Sequence, residues 1–123
     1  MIHLDTSFLI RALDAGSTQD RRLREWISEG EMLGMSAVAW TEFLCGPLHS
    51  SMLALAEDLI GPRTGFSAGD AALAARLFNE SGRRRGSLLD CMSAASALGE
   101  GARIATVNVK DFRRFEGFGL RLA

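Results

Sequence analysis

Five side chains in this 123-residue sequence place oxygen donors beside short apolar runs: Asp5, Glu42, Asp90, Asn108 and Asp111. Carboxylates brought within ~4 Å of one another repel by about 4 kcal/mol per pair at an effective dielectric near 20, so they gather only around protons or a cation. The other metal-binding residue types give no support to a soft ion. Cys45 and Cys91 form no C-x-x-C pair and read as small buried hydrophobes, and neither His3 nor His49 has a partner at ligand spacing. Carboxylates and an amide without thiolate or imidazole suit Mg2+, with Mn2+ as the alternative, better than zinc. Such an ion keeps waters and accepts phosphate oxygens, which is the equipment of phosphodiester hydrolysis.

Each acid also has a plainer reading. Asp5 stands where a helix N-cap belongs. Ser87 followed three residues later by Asp90 is close to a capping box, and the helix dipole favours an acid in the first turn. Glu42 reads by default as a solvated glutamate beside the apolar stripe of its helix. The choice depends on where the elements bring these residues.

The elements themselves follow from apolar spacing. Ile2 and Leu4 suit a short buried strand, and Phe8, Leu9, Ala12 and Leu13 recur at helical spacing after it. Gly16 to Asp20 reads as a turn and cap, with Leu23, Trp26 and Ile27 forming a second helical stripe up to Gly30. Met32 to Ser36 is a brief strand; Val38, Trp40, Phe43 and Leu44 mark a third helix stopped by Gly46-Pro47. Residues 49 to 60 are helical, and Arg63 to Phe66 form a weak strand. Ser67 to Asp70 opens a helix that ends at Ser81-Gly82, followed by the basic loop Arg83-Arg84-Arg85-Gly86 and an alanine-rich helix closed by Gly99. From Ala102 to Phe112 come a strand, a polar turn and a short helix, and Phe118, Leu120 and Leu122 predict an edge strand. Strands alternating with helices predict an α/β fold with a parallel sheet covered on both faces. Right-handed crossovers then let the five donors converge at the carboxyl edge of the sheet, where ligands bind.

Composition sets the frame. Hydrophobic residues at 47% and charged residues at 24% are ordinary for a globular chain, and the length fits one domain spanning 1–123. No apolar run approaches the roughly 18 residues of a membrane span, and Asp5 interrupts the N-terminus too early for a signal sequence, so a cytoplasmic protein is expected. A net charge of −1 does not mark a nucleic-acid binder, yet 13 of the 14 basic residues are arginines, in groups that include Arg83, Arg84 and Arg85. Such groups serve either as solvated faces or as forks for phosphate.

Four motifs in order carry a resemblance over essentially the whole chain. They are Leu4-Asp5-Thr6-Ser7, Trp40-Thr41-Glu42-Phe43 before Gly46, Gly86-Ser87-Leu88-Leu89-Asp90 opening the alanine-rich helix, and Thr106-Val107-Asn108-Val109-Lys110-Asp111-Phe112. Together they resemble the PIN domain, and with the small size they look most like the toxins of VapBC toxin–antitoxin pairs. The resemblance implies a three-layer α/β/α sandwich with a central parallel sheet of four to five strands. It also implies an Mg2+-dependent endoribonuclease acting on structured RNA, a homodimer, and an antitoxin that covers the site. Asp5, Glu42 and Asp90 match the family's acidic metal-binding positions. The fourth position is filled by Asn108 or Asp111, and an amide there brings no charge, so one or two metals remain open. Thr6 and Thr106 are placed to hydrogen-bond the carboxylates or the metal's waters. Arg83, Arg84 and Arg85, just before Asp90, become candidates for RNA phosphate.

Two other classes meet the same outline. A receiver-like signalling domain is α/β, of this length, and holds Mg2+ in an acidic pocket. It wants adjacent acids after the first strand and an Asp after the third, whereas Asp5 stands alone and the third strand lacks one. A non-catalytic PIN-like module that binds a partner is the other alternative, and retention of Asp5, Glu42 and Asp90 argues against it.

Overall fold

The computed structural model describes residues 1–123, and the short apolar runs all enter one sheet. β1 (Ile2–Leu4), β2 (Leu33–Ser36), β3 (Arg63–Thr64), β4 (Arg103–Ala105) and β5 (Arg121–Leu122) lie in the order β3-β2-β1-β4-β5. Every pairing is parallel, with His3 opposite Gly34 on one side and Ile104 on the other. The chain builds outward from β1 through β2 to β3, then returns to β1's other side to add β4 and β5. The strand order therefore reverses between β1 and β4, and the crevice at such a switch point is where open α/β sheets bind ligands.

Helices cover both faces. α1 (Thr6–Ala12), α2 (Thr18–Ser28), α3 (Ala37–Cys45) and α4 (Ser50–Leu59) contribute to a core of 14 buried residues with Ile2, Leu4, Leu33 and Met35 from the sheet. α5 (Ala68–Glu80), α6 (Leu88–Gly99) and α7 (Val109–Arg113) contribute to a second core of 11 with Ile104. Strand periodicity explains the division, since alternate side chains face opposite sides: Ile104 joins the second core and Ala105 the first. This is the α/β/α sandwich expected. Fully buried Trp26, Leu9 and Met35 anchor the first layer, each contributing about 1.5–3 kcal/mol by leaving water. Small side chains let α6 lie close to the sheet: Ala94, Ala95, Ala97, Ser93 and Ser96 are all buried, and Ser36 and Ser93 hydroxyls stand 3.5 Å apart across the gap. Gly34 answers another close approach, because a Cβ there would meet the Pro62 carbonyl at 3.2 Å and Met1 Sδ at 3.0 Å.

Both edge strands are shorter than their sequences predict. β3 ends at Thr64 rather than Phe66, and Phe118 belongs to a 3-10 turn, Glu116–Phe118, instead of the last strand. Gly119 at φ 98 turns the chain before β5 can begin, and two-residue edges offer little for a foreign strand to pair with. No helix is long and apolar enough to cross a membrane.

Candidate active site

Asp5 is the residue at which β1 hands over to α1. It occupies the N-cap position with extended backbone, yet its side chain makes no capping bond. Its Oδ2 instead accepts from Ser7 Oγ at 2.8 Å and from Thr106 Oγ1 at 2.9 Å, while no hydrogen bond engages Oδ1. Thr106 lies just past β4, so the two strands on either side of the switch point are tied through this carboxylate. The Thr106 hydroxyl also accepts from the Asn108 amide at 3.0 Å, and Ser7 Oγ accepts from the Val107 amide at 3.2 Å. A buried carboxylate, 5% exposed, is thereby fixed with one oxygen left for a ligand. The cap reading of Asp5 fails on this geometry.

The capping reading of Asp90 fails as well. Ser87 adopts a helical conformation (φ −96, ψ −1), caps nothing, and donates its hydroxyl to the Arg84 carbonyl at 2.6 Å. At Ser67 and Asp70, by contrast, a reciprocal capping box closes with both bonds at 3.0 Å. Asp90 is left half-buried in the first turn of α6 with no hydrogen bond of its own. Burial first, then the charge of Asp5, lifts its carboxyl from the ordinary 3.8 to about 6, with Asp111 adding to the rise and Arg114 and Arg84 opposing it.

Glu42, half-buried on α3, completes the acidic group. Its carboxyl is raised by burial and then by Asp5 and Asp90. Three acids from β1, α3 and α6 thus feel one another's charge at the carboxyl edge of the sheet. They are held apart as they stand, for no three acid, histidine or cysteine side chains are close enough to grip an ion. The donor chemistry fits a hard cation nonetheless: oxygen ligands only, one of them free on Asp5, and like charge that a cation would relieve.

The remaining predicted residues divide. Asp111 is half-buried and lies within the electrostatic reach of Asp90, whereas Asn108 is exposed at the N-terminus of α7 with its side chain making no cap. Thr6 does not hold a carboxylate: its hydroxyl donates to the Ala39 carbonyl at 2.8 Å and pins α1 to α3. The neighbouring Ser7 takes the place expected of it. Arg83 turns away from the acids, with φ 53, a bond to Asn79 Oδ1 and its guanidinium over the Phe78 ring. Arg84 remains beside them, its Nη1 3.7 Å from Asp111 Oδ1. Sequence reasoning missed Ser7 and Arg114. The hydroxyl two residues after a strand-end Asp was the available signal for the first; nothing distinguished the second from other paired arginines. Of the two cysteines expected as buried hydrophobes, Cys91 is buried, with its thiol raised by burial, whereas Cys45 at the end of α3 is exposed.

The fold is a parallel α/β/α sandwich with carboxylates beside its switch point, the edge at which open α/β sheets bind ligands. The sequence narrows this, since residues 2–117 match the PIN domain model and the chain belongs to that family. The receiver-like alternative is thereby set aside. Solved structures of similar fold include VapBC2 from Rickettsia felis bound to a DNA fragment from their promoter, with TM-score 0.77 and 21% identity over 100% of this chain and 98% of that one. VapBC-1 from nontypeable Haemophilus influenzae gives 0.74 and 21%, over 100% and 97%. FitAcB from Neisseria gonorrhoeae gives 0.71 and 19%, over 99% and 96%. The search among curated proteins found no match.

Proposed function

We propose that this protein is an Mg2+-dependent endoribonuclease, the toxin of a type II toxin–antitoxin pair. What carries the reading is that Asp5, Glu42 and Asp90, from three separate elements, lie near enough on one edge of the sheet that burial and then the charge of Asp5 raise the carboxyls of both Glu42 and Asp90. Structural likeness to the toxin–antitoxin complexes named above supports the biological role.

Asp5 through its free Oδ1, with Glu42 and Asp90, would hold the ion, and Mn2+ would fit the same donors. Bound there, the ion supplies Lewis acidity: charge neutralisation at a phosphate oxygen and a more acidic water. The chain's own groups do the rest. Ser7 and Thr106 fix Asp5, so its ligand oxygen does not swing with solvent. Asp90 holds a proton near pH 6 and releases it where charge is compensated, and Asp111 adds negative charge that draws a cation to the same edge. Asn108 offers an uncharged amide that orients water or a phosphate oxygen. Water's oxygen joins phosphorus, the bond to the 3′ oxygen breaks, and the products are a 5′-phosphate and a 3′-hydroxyl.

An acidic groove is also a target for arginine forks. The expected antitoxin is a small acid- and arginine-rich protein encoded beside this one, which co-purifies with it and silences it. A homodimer of this chain is the expected assembly, measurable by sedimentation.

The test is incubation of structured RNAs with purified protein in Mg2+ and then in excess EDTA, with the ends of the fragments identified. Cleavage that survives EDTA, or 2′,3′-cyclic phosphate ends, refutes the metal-dependent reaction. No cleavage at all, with a partner still captured, favours a non-catalytic PIN-like module.

A further inference from the structure

Arg114, at the end of α7, is one of four residues, with His3, Ser81 and Ser96, whose buried polar atoms have no hydrogen-bond partner, and the one arginine among them. Its Nε and Nη2 are closed off from solvent and donate to nothing, although buried charged donors without acceptors are costly, at about 1–3 kcal/mol or more. It joins none of the chain's ion pairs. Its guanidinium lies 4.6 Å above the ring of Phe115, itself fully buried, so the fork is held in place rather than free to seek water.

Arg114 also contributes to the lining of a cavity that is polar throughout. About 140 Å³ in volume, it is lined by Arg84, Arg85, Ser87, Asp90, Asp111 and Arg114 with Gly86, and no hydrophobic side chain enters it. Room for about four or five waters suits a small polar group better than a base or an apolar ligand. Arg84 is only loosely held, in an ion pair 3.7 Å from Asp111 Oδ1 that is too long for a hydrogen bond. Three guanidinium groups therefore stand around one hollow against two carboxylates, and one of the three has orphaned donors.

We propose that this cavity seats a backbone phosphate of the RNA neighbouring the one that is cut, gripped by Arg114 with Arg84 and Arg85. The acidic centre alone would repel a polyanion, and an arginine-lined hollow on its Asp90 side supplies the attraction that sets the strand in register. The identity of the ligand rests on the nuclease reading; the presence of a phosphate site does not.

Two measurements separate these claims. In EDTA, side-chain NMR follows the Arg114 Nε–H signal during titration with the dinucleotide UpU and, in parallel, with uridine, which lacks phosphate. The signal moves with UpU and stays with uridine. In Mg2+, cleavage of a ribo-oligonucleotide by Arg114→Gln shows KM raised about tenfold, a larger change than that in kcat, and a salt dependence of log KM shallower by about one unit. Arg84→Gln, an exposed side chain whose loss leaves folding intact, shifts KM the same way by less, while Arg22→Gln on α2, a side chain paired with Glu25 and lying over Trp26, changes nothing. An Nε–H signal unmoved by millimolar UpU overturns the proposal whether or not the protein cleaves RNA. So does an unchanged KM in both Arg114→Gln and Arg84→Gln. A signal that moves in a protein that cleaves nothing keeps the phosphate site and removes the nuclease.

Discussion

Replacing Asp90 by asparagine keeps the side chain's shape and removes one of the converging charges. Burial and the charge of Asp5 lift this carboxyl from 3.8 to about 6. A carboxyl whose folded pKa exceeds its unfolded one favours the fold fully below the unfolded value, and that contribution is lost as pH rises through the folded value. At 1.36 kcal/mol per unit the shift corresponds to ~3 kcal/mol, which screening at a half-buried group reduces to about 1 to 1.5 kcal/mol. In EDTA at about pH 8, where both forms of the wild-type residue are ionised, Asp90→Asn therefore melts about 5 °C higher. As pH falls from about 6 to below about 4, Asp90 becomes protonated and the two melting curves merge. Mg2+ reverses the order: at a hundred times its Kd the ion stabilises wild type by ~2.7 kcal/mol, while the variant gains little and cleaves no RNA. Melts across this pH range, with EDTA and then with Mg2+, read all three effects. A variant less stable by about 0.3 to 1 kcal/mol at every pH above 4, and still active, would show Asp90 to be only a first-turn acid on the helix dipole and would refute the reasoning.

Other perturbations reach the same centre from different sides. Glu42→Gln loses cleavage without losing stability in EDTA, because its carboxyl is raised by burial and by Asp5 and Asp90; a lower melting point in EDTA would argue against the convergence. Thr106→Val removes one of the two hydroxyls on Asp5 Oδ2 and lowers unfolding free energy by about 1.5 to 3 kcal/mol in urea titration, with a weaker affinity for Mg2+ by calorimetry. Ser7→Ala acts in the same direction. Thr6→Val, by contrast, loses only the bond to the Ala39 carbonyl, so stability falls by about 1 kcal/mol and Mg2+ affinity stays as it was; a matching loss of affinity would return Thr6 to the site.

How much of this was legible beforehand depends on whether the deciding contact was local. The strands and helices were, because Ile2 and Leu4, or Leu23, Trp26 and Ile27, signal their period within one element. Asp5, Glu42 and Asp90 were legible as candidates because few other acids stand at such junctions. Their alternatives were not separable by pattern: Ser67-Ala68-Gly69-Asp70 and Ser87-Leu88-Leu89-Asp90 have the same spacing, yet only the first closes its capping box. The difference lies in the loop before Ser87, where Arg83 and Gly86 at positive φ set the backbone and give the hydroxyl a carbonyl to bind. Thr6 and Ser7 exchanged roles for a similar reason. Which hydroxyl faces Asp5 depends on how α1 leaves the sheet, and Ala39, the partner that claims Thr6, is 33 residues away. The edge strands shortened because Gly119 takes a left-handed turn, a choice made by backbone geometry rather than by the apolar alternation of Phe118, Leu120 and Leu122.

The bond between Thr106 and Asp5 joins residues 101 positions apart, and β4 can settle against β1 only after almost the whole chain exists. Such long-range parallel pairing is slow to form, because the loop must close before any contact rewards it. During synthesis, then, the first acid waits for its Thr106 bond while six helices are made. A chain cut short before residue 106 would hold Asp5, Glu42 and Asp90 and still have no organised centre. The centre proposed for this protein is therefore organised only after residue 106 has been made, which leaves an interval in which the unfinished chain carries the acids without their brace.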